Sequence, residues 1–141
     1  MVPLAALPKL PFDERLFILR CAAMELTENS VVNLGIGIPD RMGTLSAHEG
    51  ITDMLTLTTE VGGVGGNPAS WPNFGMSYNA EAFVHHPNMF DWSDGGGIDL
   101  AFLGMGEIDK CGNVNVSKFA GRPIGWYDIL SYRRTAWLQL R

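Results

Sequence analysis

Charge is scarce in this sequence. Lysine, arginine, aspartate and glutamate together supply 18% of its 141 residues, and acid outweighs base to leave a net charge of −5. A typical soluble domain carries about 25%, so the deficit leaves room for a surface that another domain or subunit covers. No lysine-arginine cluster appears before the extreme C-terminus, so a nucleic-acid partner is not expected. The two cysteines, Cys21 and Cys111, are far apart and form no CxxC spacing. That excludes a disulfide framework and fits a reducing, cytoplasmic setting. His48, His85 and His86 show no H-x-x-x-H or H-E-x-x-H pattern, so no metal is expected. No apolar run approaches the roughly 18–20 residues that span a bilayer. Three prolines interrupt "MVPLAALPKLPF", and no basic segment precedes it, so it does not read as a targeting peptide.

What is present is apolar residues, 46% of the chain, and glycine, 17 residues. After a proline-broken arm, Asp13 is a plausible N-cap for a helix running to about Thr27, with Leu16, Phe17, Leu19, Ala23, Met24 and Leu26 as an imperfect apolar stripe. "SVVNLGIGIP" is a β-rich run. Pro39-Asp40 then suits a helix start and Gly50 its stop. "MLTLTTE" predicts a second strand over 54–60, and "IDLAFLG" a third, apolar enough to be buried on both faces. Residues 67–80 read as irregular loop, and "AEAFVHH" as either a strand or two helical turns. "HPNMFDWSDGGG" reads as a short helix with a glycine stop, and "GEIDKCGNVNVSKF" as a hairpin turning at Asp-Lys-Cys-Gly. Strands separated by helices predict an α/β domain with an open, largely parallel sheet and flanking helices.

The glycines cluster at 35 and 37, at 62, 63, 65 and 66, at 95–97, and at 104 and 106. Three of these clusters follow predicted strands, where ligands of open α/β sheets sit. In "TLTTEVGGVGG" a single carboxylate, Glu60, ends a strand just before the glycines. No basic residue stands near it in sequence. Glu60 suits a nucleophile, a general base, a metal ligand or a turn cap accepting backbone N–H groups, and metal is the poorest fit. "GGVGGNP" lacks a Walker lysine and "GIGIPD" is not G-x-G-x-x-G, so neither reads as a nucleotide-phosphate loop. Asp94 reads as part of a helix-exit loop. Trp71, Phe74, Phe83, Phe90, Trp92 and Phe102 read as core or interface, because no basic residues interleave them.

Three strings, "VVNLGIGIPD", "LTLTTEVGGVGG" and "FDWSDGGGIDLAFLGMGEIDKCGNVNVSKF", in this order, resemble the C-terminal, glutamate-bearing half of family I coenzyme A transferases. Among these, propionate/acetate transferases of broad short-chain specificity are most similar. The resemblance runs from about Leu10 to Gly125 and implies a transferase domain of the β-subunit type over 1–125. It implies that Glu60 is the catalytic residue, forming a glutamyl-CoA thioester. Asn33, Gly35 and Gly37 would line the site floor, Gly62, Gly63 and the 35–37 loop would offer open amides, small residues would leave room for the pantetheine thiol, and Gly104 and Asn115 would complete the CoA contacts. Met76, Tyr78 and Phe102 would bear on the size of the acyl group. Coenzyme A and acyl-CoA would be substrates, with no permanently bound cofactor.

The sequence also departs from the family. Val61 stands where proline usually follows the glutamate. Residues 126–141 form an atypical tail in place of the family's G-x-G-G-F loop, as a truncation or shifted frame would produce. The partner expected is an N-terminal domain or α-type subunit, in a homo- or hetero-oligomer, and the isolated chain is expected to be inactive. Two other readings compete: a sugar-phosphate isomerase-like enzyme using Glu60 as base, and a non-catalytic remnant or assembly subunit.

Overall fold

The apolar runs pair with one another as their alternation requires. In the computed structural model, which describes residues 1–70, 72–105, 107–115, 118, 119, 122 and 123, β1 (Val31–Leu34) lies between β2 (Thr56–Thr58) and β7 (Leu100–Phe102), parallel to both. Two short strands, β3 (Gly63–Val64) and β6 (Ala82–Phe83), extend the sheet antiparallel beyond β2. The order is β6-β3-β2-β1-β7. This is a mixed α/β sheet with a parallel centre and an antiparallel extension. "AEAFVHH" resolves as a strand, because Ala82 and Phe83 pair with Val64 and Gly63.

Parallel register sets the faces. Val32, Leu57 and Leu100 align across the sheet, and Leu34 aligns with Phe102. These side chains meet Leu19 of α1 (Glu14–Ala23) and Met42 and Leu45 of α2 (Met42–Glu49) in one core. Fully burying such a side chain contributes about 1.5–3 kcal/mol. The opposite face carries Asn33, Thr58 and Ala101, all buried, with the Thr58 hydroxyl 3.2 Å from the Val32 carbonyl.

Helix ends follow local chemistry. Asp13 caps α1 by accepting from the Leu16 N–H at 2.9 Å. Only part of the predicted stripe faces inward: Leu19 is buried, but Phe17 and Met24 stay exposed. Pro39–Arg41 form a 3-10 turn leading into α2, and Gly50 ends α2 in the left-handed region at φ 72°. α3 (His86–Trp92) passes into a wider turn over Ser93–Gly97 that breaks at Gly96. Asp94 lies exposed in that exit loop. Of the aromatics, Phe102 is core and Phe83 is exposed, while Trp71 lies outside the described residues.

Two expectations need correction. The second strand is shorter than 54–60: Thr52–Met54 is a 3-10 turn, and the strand ends at Thr58 because Thr59 begins a turn. The stretch 67–80 contains a small antiparallel ladder of β4 (Asn67–Pro68) with β5 (Ser77–Tyr78). The C-terminal hairpin is present as β8 (Glu107–Ile108) paired with β9 (Val114–Asn115), and β10 (Lys118–Phe119) pairs antiparallel with β11 (Arg122–Pro123). Residues 124–141, and with them the atypical tail, lie outside the described residues.

Candidate active site

Strands running in one direction bring their carboxyl ends to one edge of a sheet. β2, β1 and β7 are adjacent and parallel, so Glu60, the Gly35–Gly37 loop and Gly104 all leave along that edge. The fold therefore brings together six of the seven predicted binding residues with Glu60. Asn115 is the exception: it sits on the separate β8–β9 ladder, opposite Glu107.

Glu60 is half-buried, at the second position of a tight turn. The Gly62 N–H donates to the Thr59 carbonyl at 3.0 Å, and the Thr59 N–H donates to the Gly63 carbonyl at 3.0 Å. The Gly63 N–H donates to Thr59 Oγ1 at 3.1 Å. Gly62 has φ 119°, and a side-chain carbon there would overlap the Val84 carbonyl. Only glycine fits such backbone. Thr59 is a structural residue that the sequence motifs do not single out, and Asp40, expected only at a helix start, also fastens the neighbouring loop. A hydroxyl beside a glycine turn is the one local signal for Thr59.

The neighbouring loop is built likewise. The Gly35 N–H donates to the Phe102 carbonyl at 2.8 Å, and the Gly37 N–H donates to the buried Asp40 carboxylate at 3.1 Å. A side-chain carbon on Gly104 would lie 2.7 Å from the Ile36 carbonyl oxygen, so this glycine lets two loops touch backbone to backbone.

These bonds correct two expectations. The amides of Gly35, Gly37, Gly62 and Gly63 are not open donors: tight turns satisfy their own N–H groups. Nor do most of these glycines leave room for a ligand. Backbone or side chains fill the space beside Gly35, Gly62, Gly63 and Gly104, and of the predicted site glycines only Gly37 borders open space. Phe102 is also misplaced as an acyl-pocket residue, since it belongs to the helix-covered core. Met76 is exposed and Tyr78 half-buried. Among the described residues no group of three His, Cys, Asp or Glu could hold a metal ion. Among them, no helix is long and apolar enough to cross a membrane.

Known proteins share both sequence and fold with this chain. The caffeate CoA-transferase of Acetobacterium woodii is 55% identical over 123 residues, which is 87% of this chain and 24% of that protein. The acetate CoA-transferase YdiF of Escherichia coli K12 is 37% identical over 82% of this chain and 22% of its own length. The crystal structure of the YdiF apoenzyme from E. coli O157:H7 superposes with a TM-score of 0.75 at 34% identity, covering 91% of this chain and 24% of that one.

Over most of its length, this chain matches one segment of the coenzyme A transferases.

It spans about a quarter of the length of the first of these relatives. One subunit of the 3-oxoadipate CoA-transferase of Pseudomonas knackmussii is 32% identical over 68% of this chain and 38% of its own length, so in that enzyme the matching segment lies on a separate polypeptide. No protein-family model matches the sequence. A decarboxylase, AibA/AibB, superposes with a TM-score of 0.61 at 19% identity, and this shows a shared fold alone.

Proposed function

We propose that Glu60 is the nucleophile of a CoA transfer between a short-chain acyl-CoA and a carboxylic acid. The observation that carries this reading is a half-buried carboxylate fixed on a hydrogen-bonded turn at the carboxyl end of a central parallel strand. The family supports it, and so does the relative YdiF, whose structure was solved as a thioester complex with CoA.

In the first step a Glu60 oxygen adds to the thioester carbonyl carbon. The C–S bond breaks, giving an acyl-glutamyl anhydride and CoA thiolate. The thiolate then adds to the Glu60 side-chain carbonyl carbon, and the bond between that carbon and the bridging oxygen breaks. The first acid leaves as its carboxylate, and a glutamyl-CoA thioester remains. A second carboxylate attacks that thioester and expels the thiolate, which returns to the new acyl carbonyl and regenerates Glu60. No oxidation state changes, and the two half-reactions give ping-pong kinetics.

A carboxylate is a weak nucleophile, so oxyanion stabilisation must contribute. One donor is typically worth about 3–4 kcal/mol. Since the amides of Gly35, Gly37, Gly62 and Gly63 are engaged, the donors come from other groups, including those of an N-terminal transferase domain or α-type subunit that closes the cleft. That partner would also keep water from the anhydride. Asn33, Gly35, Gly37, Gly62, Gly63 and Gly104 form the floor beneath CoA, and Asn115 joins them only through the separate hairpin. Fold alone does not select this reaction, as the decarboxylase likeness illustrates. Covalent chemistry does.

The test is mass spectrometry of the chain, assembled with a complementing N-terminal transferase half, after exposure to acyl-CoA. The expected result is a CoA-sized increment on the peptide containing Glu60, lost in Glu60→Gln. An unmodified Glu60 peptide, or modification that survives Glu60→Gln, refutes the assignment. A sugar-phosphate isomerase base would form no such adduct.

A further inference from the structure

Thr59 holds the nucleophile's turn from within. It is fully buried, and its hydroxyl is used twice, accepting from the Gly63 N–H at 3.1 Å and donating to the Gly75 carbonyl at 3.3 Å. Its backbone N–H and carbonyl make the two remaining bonds that close the turn. Gly75 reaches the turn a second time: at φ 96°, its position would put a side-chain carbon 2.7 Å from Val61 Cγ2. It therefore touches the residue before Glu60 and the residue after it.

The segment carrying Gly75 is itself fastened. The Asn73 N–H donates to the Ser70 carbonyl, and the Met76 N–H donates to the Asn73 carbonyl. The Ser70 hydroxyl donates to the Asp40 carbonyl at 3.2 Å, and the Asp40 carboxylate accepts from the Gly37 N–H at 3.1 Å. Together these bonds link the loop after β1 to the turn after β2 through one bracing segment.

We propose that Thr59 is the positioning residue for Glu60, with Gly75 as its anchor, and that Ser70, Asn73 and Gly75 keep the Glu60 turn and the 35–37 loop in fixed relation. This rests on Glu60 being the nucleophile. A hydroxyl is required because valine, of the same shape, would leave a buried N–H and a buried carbonyl without a partner. The turn would then rearrange, and a misplacement of about 1 Å costs about 100-fold in rate. Serine keeps both bonds.

The experiment measures CoA-adduct formation on the chain assembled with the transferase half that completes it. Thr59→Val is expected to slow labelling about 100-fold at saturating acyl-CoA, with the half-saturating concentration unchanged. Thr59→Ser should restore most of the rate. Thr52→Val, which removes another buried hydroxyl bond, 3.2 Å to Ser46, should leave the rate unchanged. Wild-type rates in Thr59→Val, no rescue by serine, or an equal loss in Thr52→Val each overturn the proposal while leaving Glu60 as nucleophile. Absence of any adduct in the unmodified protein overturns the nucleophile assignment, and this proposal with it. Amide hydrogen exchange needs no variant: Gly63 is expected to be protected, and free exchange there would refute the clamp.

Discussion

Replacing Gly62 with alanine tests how tightly the Glu60 turn is seated. Two costs arise at this one position. The backbone has φ 119°, a conformation that L-residues rarely adopt, and holding a non-glycine residue there costs about 1–3 kcal/mol. The new methyl carbon also overlaps the Val84 carbonyl, where contacts under 3.0 Å are essentially never found. That oxygen is backbone and cannot swing aside. Val84 is moreover held to this turn, its N–H donating to the Gly62 carbonyl at 2.9 Å. Either that bond breaks or the turn retreats by about 1 Å, and a displacement of this size costs about 100-fold in rate. Gly50→Ala is the matched control. It imposes a left-handed φ of 72° with nothing within 4 Å of the added carbon, so it costs about 1–2 kcal/mol and leaves the turn in place. Urea unfolding reads the stability of both variants, and the rate of CoA-adduct formation reads their function. The reasoning fails if Gly62→Ala labels within about threefold of the wild-type rate, far short of the expected loss, or if Gly50→Ala labels as slowly.

Asn67 is fully buried, and neither its Nδ2 nor its Oδ1 has a partner among the described residues. The near-isosteric Asn67→Leu should raise stability by about 1–3 kcal/mol, read as an upward shift of the urea midpoint; a downward shift would mean that the amide is satisfied by a buried water. Asp109 organises the β8–β9 hairpin, accepting from the Asn113 side chain at 2.8 Å and from the Cys111 and Asn113 N–H groups at 2.8 and 2.9 Å. These bonds, the Asn113 side chain foremost, hold its carboxyl below the ordinary aspartate value. Depression means that the charged form is favoured on folding, so the contribution is present above about pH 3.9 and fades as pH falls through the depressed value. Carbon-detected NMR should show Asp109 titrating below the unfolded-peptide value and the Cys111 amide losing protection in the same range; titration at or above that value would contradict the account.

Much of the architecture was legible because it is local. Asp13 before an apolar run, Pro39-Asp40 at a helix start and Gly50 at its end each carry their chemistry within a few residues, and each boundary falls there. Val32, Leu57 and Phe102 sit in strands whose apolar content predicts burial, and all three are buried. What was not legible depends on partners far along the chain. Nothing within "NPASWPNFGMSYN" says that Asn67 will pair with Tyr78. The end of β2 was misplaced for the same reason: Thr59 leaves the strand because its hydroxyl finds Gly75, sixteen residues away. For the candidate site, the predicted strand ends put Glu60 and the glycine loops along one sheet edge, but sequence cannot reveal whether a glycine borders a ligand or another stretch of protein.

That distinction decides what the glycines around Glu60 are for. If they served access, a side-chain carbon added to them would project into open space. At Gly62 it meets the Val84 backbone, at Gly75 the Val61 side chain, at Gly35 the Phe102 carbonyl, and at Gly104 the Ile36 carbonyl. Glycine here lets backbone press on backbone, and the result is a turn with little freedom to move. Under the role proposed for Glu60, such rigidity matters because the nucleophile is a weak one. A carboxylate gains little from intrinsic reactivity, so its rate depends on being held in line with the carbonyl it attacks. Open space is bordered instead by Gly37, whose φ of 101° keeps its own N–H turned onto Asp40. Of the predicted site glycines, only this one stands where a glycine kept for access would stand.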